Sequence, residues 1–395
     1  MFTRFIEKKN WLIFNNSKKY LYELFRAGNF KDKSFYNGRL KELFFEGFSN
    51  EEINENKSYG YVNFFGGELF DKNEIDNKIK DVPNYLFEDI LGNDGLFYKY
   101  NFTVEESTPL EIQVSIDPEM LGKVFERLID VDGVVYTPKI VVKNMCDNVL
   151  IQYLVNNKQD LKLSTETIKQ LIKERFIEKD SGLYKELKIS YQKLDQKLKQ
   201  IKIIDPAVGS GQFTTGMMSL ICEIREKLNI FFEHDRKMFQ LKKNCIQNSI
   251  YGVDIIDSSV EITKLRLWLS LIVDERRIEN VSTLPNLDYK IYQCDSLIFS
   301  EVNIFNKSLL DKFNSLKINL YNEDNNEKVN ELKKSLILTM DEIITSHDNI
   351  GIEIIFNEVF SGSDPGFDVI IGNPPYVSAV DRKRSDGLKD YYKKF

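Results

Sequence analysis

The chain is poor in the features that mark membrane, secreted or zinc-binding proteins. No apolar run approaches the about 18 residues that a membrane span requires. The densest run, Leu265 to Val273, is short and carries Arg266. The start, Met1 to Lys9, lacks the uninterrupted apolar core of a signal peptide. A cytoplasmic protein with no membrane partner is the expectation. The four cysteines, Cys146, Cys222, Cys245 and Cys294, form no CxxC pair, and the two histidines, His234 and His347, stand away from them. They read as buried free thiols, with no metal site.

Positive charge is also in deficit, with 54 Lys and Arg against 61 Asp and Glu, net −7. That excludes a general nucleic-acid coat but leaves room for a local basic groove, because net charge describes only the far field. What the chain does have is an ordinary globular composition: 395 residues, 42% hydrophobic, 29% charged and 12% aromatic. This suits roughly two to three domains and excludes a disordered chain, a collagen-like repeat and a disulfide-stapled miniprotein.

Apolar residues recur mostly at three- and four-residue steps from Trp11 to Phe25, which predicts an amphipathic helix. Aromatics and glycines from Tyr59 to Gly67 predict a packed loop. A second helical patch runs from Leu121 to about Val155, broken at Asp132-Gly133 and Pro138. Residues 156–200 alternate Lys and Glu with apolar positions and read as a solvated helical insertion. Beyond Gln200 short apolar runs bounded by turn residues appear at Ile201–Ile204, Ile250–Ile256, Tyr289–Cys294 and Phe367–Ile371, with helical segments after the first two. Buried strands alternating with helices predict an α/β fold on a parallel sheet. Residues 303–349, rich in Asn, Lys and Glu, read as a helical or loose insertion without chemistry of its own.

The first candidate site is Asp205-Pro206-Ala207-Val208-Gly209-Ser210-Gly211-Gln212-Phe213, a strand running through two glycines into a helix near Gln212. Such glycines allow a tight turn and let a ligand lie against bare backbone at a helix N-terminus. Thr214 stands where a dinucleotide fingerprint has its third glycine, which disfavours a pyrophosphate-bearing cofactor. A structural turn remains the alternative. Asp254, at the end of the second strand, is placed either to accept hydrogen bonds from ribose hydroxyls or to cap the helix starting near Ser258. Asp295, after the third strand, either binds an adenine amino group or caps a turn.

Asn373-Pro374-Pro375-Tyr376 decides the case. It follows the fourth apolar run at its C-terminal end, where ligand crevices of such sheets lie. Two prolines stiffen the backbone, so the Asn373 amide and the Pro374 carbonyl are held to grip a planar amino group beside an aromatic ring.

The glycine turn and Asn373-Pro374-Pro375-Tyr376 together resemble the gamma-class adenine-N6 DNA methyltransferases. Gly133-Val134-Val135-Tyr136-Thr137-Pro138 resembles that family's aromatic-Thr-Pro motif, and the order of the three is the gamma-class order. Tyr100 to Leu110, Asp117 to Gly122 and Lys264-Leu265-Arg266-Leu267-Trp268-Leu269 resemble the methylase part of type IIG restriction–modification enzymes. Val135 replaces a common aromatic, and Asp130 and Asp132 stand where basic residues are usual.

The resemblance implies a Rossmann-like methyltransferase sheet at 119–395 and a mainly helical connector at 1–118. It implies S-adenosylmethionine as cofactor and double-stranded DNA as partner. Tyr136, Thr137, Pro138, Asp205, Ala207, Gly209 and Gly211 would line the methionine end, Asp254 the ribose and Asp295 the adenine. Asn373 and the Pro374 carbonyl, stiffened by Pro375, would take the amino group of a flipped adenine, with Tyr376 stacked on the base.

A family member would carry further strands and a target-recognition region beyond Tyr376. The chain therefore reads as a fragment or split subunit, with a second chain supplying those parts. No Pro-Asp pair of a nuclease signature occurs. Rival readings are an inactive remnant that binds cofactor or partner, and a glutamine methyltransferase.

Overall fold

The structure is a computed structural model. It describes residues 2–28, 34–49, 55–62, 70, 76, 78–79, 81–99, 101–102, 115–116, 137–275, 284–298, 307–323, 326–346, 350–361 and 364–375. Its centre is a parallel sheet of β1 (Ile203–Asp205), β2 (Ile250–Asp254), β3 (Ile291–Gln293) and β4 (Val369–Ile370). The strand order is β3-β2-β1-β4. Ile203 pairs with Ile250 on one side and Val369 on the other, and Gly252 pairs with Ile291. β2, β3 and β4 fall inside the predicted apolar runs, and β1 passes the end of its run, Ile201–Ile204, by one residue. Such runs are continuous because a parallel sheet is buried on both faces.

The order explains the two layers. Steps from β1 to β2 to β3 move one way, so right-handed crossovers put α6 (Gln212–Lys227) and α8 (Asp257–Asp274) on one face. The return from β3 to β4 passes back over β2 and β1 on the other face, and β1 with β4 becomes the switch point. Alternation divides the strands accordingly: Ile203, Ile250, Ile291 and Val369 belong to the first core. Ile204, Tyr251 and Val253 belong to the second.

Residues 307–346 fill that second face. Helices α9 (Lys307–Asn322) and α10 (Asn326–Ser346) pack Leu310, Phe313, Leu320, Leu336, Met340 and Ile343 into the core with Ile204, Tyr251 and Val253. The expected helices are there, but as a layer of the sheet fold rather than an appendage.

On the first face, α3 (Lys139–Asn156) starts directly after Pro138, whose fixed φ suits a helix entry. Next come α4 (Thr165–Lys173) and α5 (Gly182–Gln200), entered at Ser164 and Ser181, whose hydroxyls accept from the amides of Thr167 and Tyr184 at 3.1 Å. These helices are solvated on one side only. Ile168, Leu171, Leu187, Leu194 and Leu198 are buried in the same core as the sheet, together with α7 (Met238–Asn248).

The N-terminal region corrects one expectation. Only Tyr20–Arg26 of the span from Trp11 to Phe25 is helical. Ile13 pairs with Tyr61 and Phe14 bridges Ser17. Between them Asn15 and Asn16 adopt left-handed backbone at φ +50 and +56, which asparagine tolerates and a helix does not. The apolar spacing thus reflects burial in a turn. Of the packed loop expected from Tyr59 to Gly67 the structure describes Tyr59 to Val62, with 63–67 outside the described residues: Tyr59 and Val62 are fully buried, beside a two-residue antiparallel pairing of Glu55–Asn56 with Gly60–Tyr61. Lys9 ties this region to the sheet domain, donating to the carbonyls of Val273 at 2.8 Å and Glu275 at 2.5 Å where α8 ends.

Candidate active site

The glycine turn follows β1 at the switch point. Gly209 and Gly211 have φ of +52 and +78, a region open to glycine and strained for other residues. Gly211 is the N-cap of α6. Thr263 of α8 donates its hydroxyl to the Gly209 carbonyl at 2.9 Å, and buried Arg266 donates to the carbonyl and hydroxyl of Ser210. Both carbonyls of the turn are therefore held from below. A side chain built on Gly209 would meet nothing within 4 Å, so the turn borders open space.

Asp205 ends β1 and is buried. Its Oδ1 accepts from the Ala207 amide at 3.1 Å, while Oδ2 has no hydrogen-bond partner among the described residues. Burial pushes this carboxyl up to about 7; the Ala207 amide opposes the shift and the charge of Asp254 adds to it. Asp254 accepts from the Gly209 amide at 2.8 Å and the Ile256 amide at 2.9 Å. It joins the end of β2 to the glycine turn, and α8 begins with no side-chain cap. Asp295 accepts from the Leu297 amide at 2.9 Å, the local turn that was one of its two readings.

At the end of β4, Gly372 packs against β1. A Cβ there would stand 2.6 Å from Asp205 Oδ1 and 3.2 Å from Pro206 Cδ, so only glycine fits. Asn373 comes next, half-buried, with Pro374 and Pro375 exposed after it. The Asn373 side-chain amide nitrogen donates to the Thr137 hydroxyl at 3.1 Å, across 236 residues of sequence.

The comparisons with known proteins agree with this geometry. Residues 181–289 match the model of the MmeI DNA-methyltransferase domain, which takes in β1, the glycine turn and β2. Residues 248–395 match the Eco57I restriction-modification methylase, which takes in Asn373 and the two prolines. Residues 181–395 are thus similar, in two overlapping stretches, to methylase domains of restriction–modification enzymes. A protein of Methanocaldococcus jannaschii named as a type II restriction enzyme and methyltransferase is 28% identical over 326 residues. That alignment covers 75% of this chain and 26% of the relative, so the chain spans about a quarter of the relative's length.

The structure brings Thr137, Asp205, Ala207, Gly209, Gly211, Asp254 and Asn373 to the C-terminal ends of β1, β2 and β4, with Asp295 beyond β3. Pro138 stands at the entry to α3, one residue on from Thr137. Tyr136 and Tyr376 lie outside the described residues, as do Tyr100, Thr103 to Leu110, Asp117 to Gly122, Gly133 to Val135, Asp130 and Asp132.

Sequence reasoning missed the supports. Thr263 and Arg266 carry no motif that points to the glycine turn, although Arg266 lies within the segment Lys264 to Leu269 and Thr263 immediately before it. It also missed Ile255 and Leu297, apolar side chains left 67% and 64% exposed immediately after β2 and beyond β3. Large apolar groups exposed beside two carboxylates at strand ends suit the faces of a planar ring.

Proposed function

We propose that the methylase domain transfers a methyl group from S-adenosylmethionine to the N6 amino group of adenine in double-stranded DNA. The observation that carries this reading is the Asn373-Pro374-Pro375 turn at the end of β4, packed through Gly372 onto the strand that leads into the glycine turn.

The residues present fit the cofactor. Asp205 offers an unpartnered buried carboxylate oxygen, which suits a charged ammonium group. Open space over Gly209 borders the same strand end. Asp205, Ala207, Gly209 and Gly211 would line the methionine end, with Tyr136, Thr137 and Pro138 closing it. Asp254 would hold the ribose hydroxyls and Asp295 the adenine amino group, between Ile255 and Leu297. The cofactor supplies an electrophilic methyl group; no metal is needed.

The chain's part in the chemistry is positioning. An adenine inside a duplex is out of reach, so the base is flipped into the crevice. Asn373 Oδ1 and the Pro374 carbonyl accept the two amino hydrogens. This orients the nitrogen lone pair and favours the positive charge that grows on nitrogen as the new bond forms. Tyr376, next in sequence, supplies a ring to stack on the base. The proton released afterwards passes to solvent.

The test is transfer of labelled methyl from S-adenosylmethionine to unmethylated genomic DNA, with digestion to nucleosides to identify the product. N6-methyladenine is expected, and Asn373→Ala should abolish it while cofactor affinity stays within a few-fold. Label on cytosine, on glutamine peptides or nowhere would overturn the reading.

A further inference from the structure

The aromatic-Thr-Pro segment closes the methionine end in the reading above, which gives the Thr137 hydroxyl no task in the chemistry. The structure supplies one. Thr137 precedes a proline, which restricts it to extended backbone. Pro138 then opens α3, its carbonyl accepting from the amides of Val141 at 2.9 Å and Val142 at 3.0 Å. Helix α3 is held in turn, because Val142, Cys146, Leu150 and Leu154 are buried against the core that includes Met217 and Ile221 of α6. The hydroxyl is therefore presented by an element packed on the same helix that the glycine turn begins.

Asn373 arrives from the opposite direction, on a strand end stiffened by two prolines. Its Nδ2 donates to Thr137 Oγ1 at 3.1 Å. With the nitrogen engaged there, Oδ1 is the free end of the amide. A hydroxyl both donates and accepts, so Thr137 holds the carboxamide in either sense, and the adenine amino group, a donor, is met productively only by the oxygen end.

We propose that Thr137 is a positioning residue that anchors the Asn373 carboxamide, holding its free oxygen end at the target amino group. The inference rests on the adenine-N6 reading and adds a residue to it. Thr137 acts through Asn373, so its loss should slow transfer at saturating cofactor and leave cofactor binding alone.

The experiment compares wild type, Thr137→Val and Thr137→Ser in single-turnover methyl transfer to unmethylated DNA, with calorimetric binding of S-adenosylmethionine to each. Valine keeps the shape, and so the lining of the methionine end, but removes the hydroxyl; serine restores it. Thr137→Val should reduce the transfer rate about 10- to 100-fold, the scale of a misplaced reacting group. Thr137→Ser should stay within about threefold of wild type on the same scale. Cofactor affinity should match wild type in both. Wild-type rates in a folded, cofactor-binding Thr137→Val would overturn the role. So would a rate recovered by excess cofactor, since that assigns the hydroxyl to the methionine end. Absence of N6-methyladenine from wild type would instead bring down the adenine reading, and this inference with it.

Discussion

Asp205 is the residue where burial, geometry and charge meet most closely. Its folded pKa of about 7 lies far above the ordinary carboxylate range, chiefly because the group is buried. Between the unfolded value near 4 and about 7 the folded chain holds a proton that the unfolded chain has released, so this group's contribution to stability falls as pH rises through that window. A bound cation reverses the preference, because it favours the carboxylate. Affinity for S-adenosylmethionine should therefore weaken about tenfold per pH unit below 7. Calorimetric titration from pH 5.5 to 8 would show it. Asp205→Asn should bind weakly with a flat profile, and a flat wild-type profile would exclude linkage through this carboxyl.

Gly372 belongs to the same argument, since a methyl group there collides with the Asp205 carboxylate and the Pro206 ring. Gly372→Ala should cost about 1–3 kcal/mol of stability, the usual range for overpacking a close contact. It should also displace Asn373 and slow transfer. Denaturant unfolding with single-turnover assays would test both, and an unchanged midpoint would mean that β4 can shift without loss.

At the scale of elements, α9 shows what holds the second layer on the sheet. Lys317 donates to the Ile355 carbonyl and to Glu358, and Lys290 Nζ lies 3.7 Å from the other Glu358 oxygen and 3.9 Å over the Tyr251 ring. One largely enclosed carboxylate, its side chain 17% exposed, thus serves two buried ammonium groups. Burial lowers both lysines, Lys290 to about 7, and the two cations hold Glu358 below the ordinary range against its own burial. Removing the carboxylate strands both lysines, so Glu358→Gln should lose about 3–5 kcal/mol. Lys290→Met should be neutral or stabilising, because Lys317 and Glu358 remain a matched pair. Equal losses in denaturant unfolding of the two variants would refute this accounting.

The packing of that layer onto the sheet was not legible in the sequence, although its helical character was. Residues 303–349 are rich in Asn, Lys and Glu, and Lys317 gives no sign that it points inward. The strands, by contrast, were legible because a doubly covered strand leaves a continuous apolar run. The glycine turn and Asn373-Pro374-Pro375 were legible because each packs its chemistry into a few neighbouring residues. The contact of Thr137 with Asn373 was not, since it depends on how strand order folds the chain back on itself. The helix expected at Trp11 to Phe25 failed for a related reason: spacing reports burial, and a left-handed Asn15-Asn16 turn buries Trp11 and Leu12 as well as a helix would.

At the scale of the molecule, the question is whether the N-terminal region and the sheet domain unfold together. Phe2, Phe5, Ile6, Trp11 and Leu12 belong to the same buried cluster as Leu267, Leu271 and Ile272 of α8. Lys9 adds a cation at the C-terminal end of that helix, where unpaired carbonyls and the helix dipole favour positive charge. A shared core of this kind predicts one cooperative transition for the described regions. Lys9→Met keeps the aliphatic stem and removes the charge, which should cost about 1–2 kcal/mol. The site residues from Thr137 to Asn373 make none of these contacts, so affinity for S-adenosylmethionine should not change. Scanning calorimetry with and without cofactor separates the cases. A single peak that moves down in Lys9→Met and up with cofactor supports coupling, whereas two peaks, only one responding to cofactor, would show that the N-terminal region is an independent unit carried beside the sheet domain.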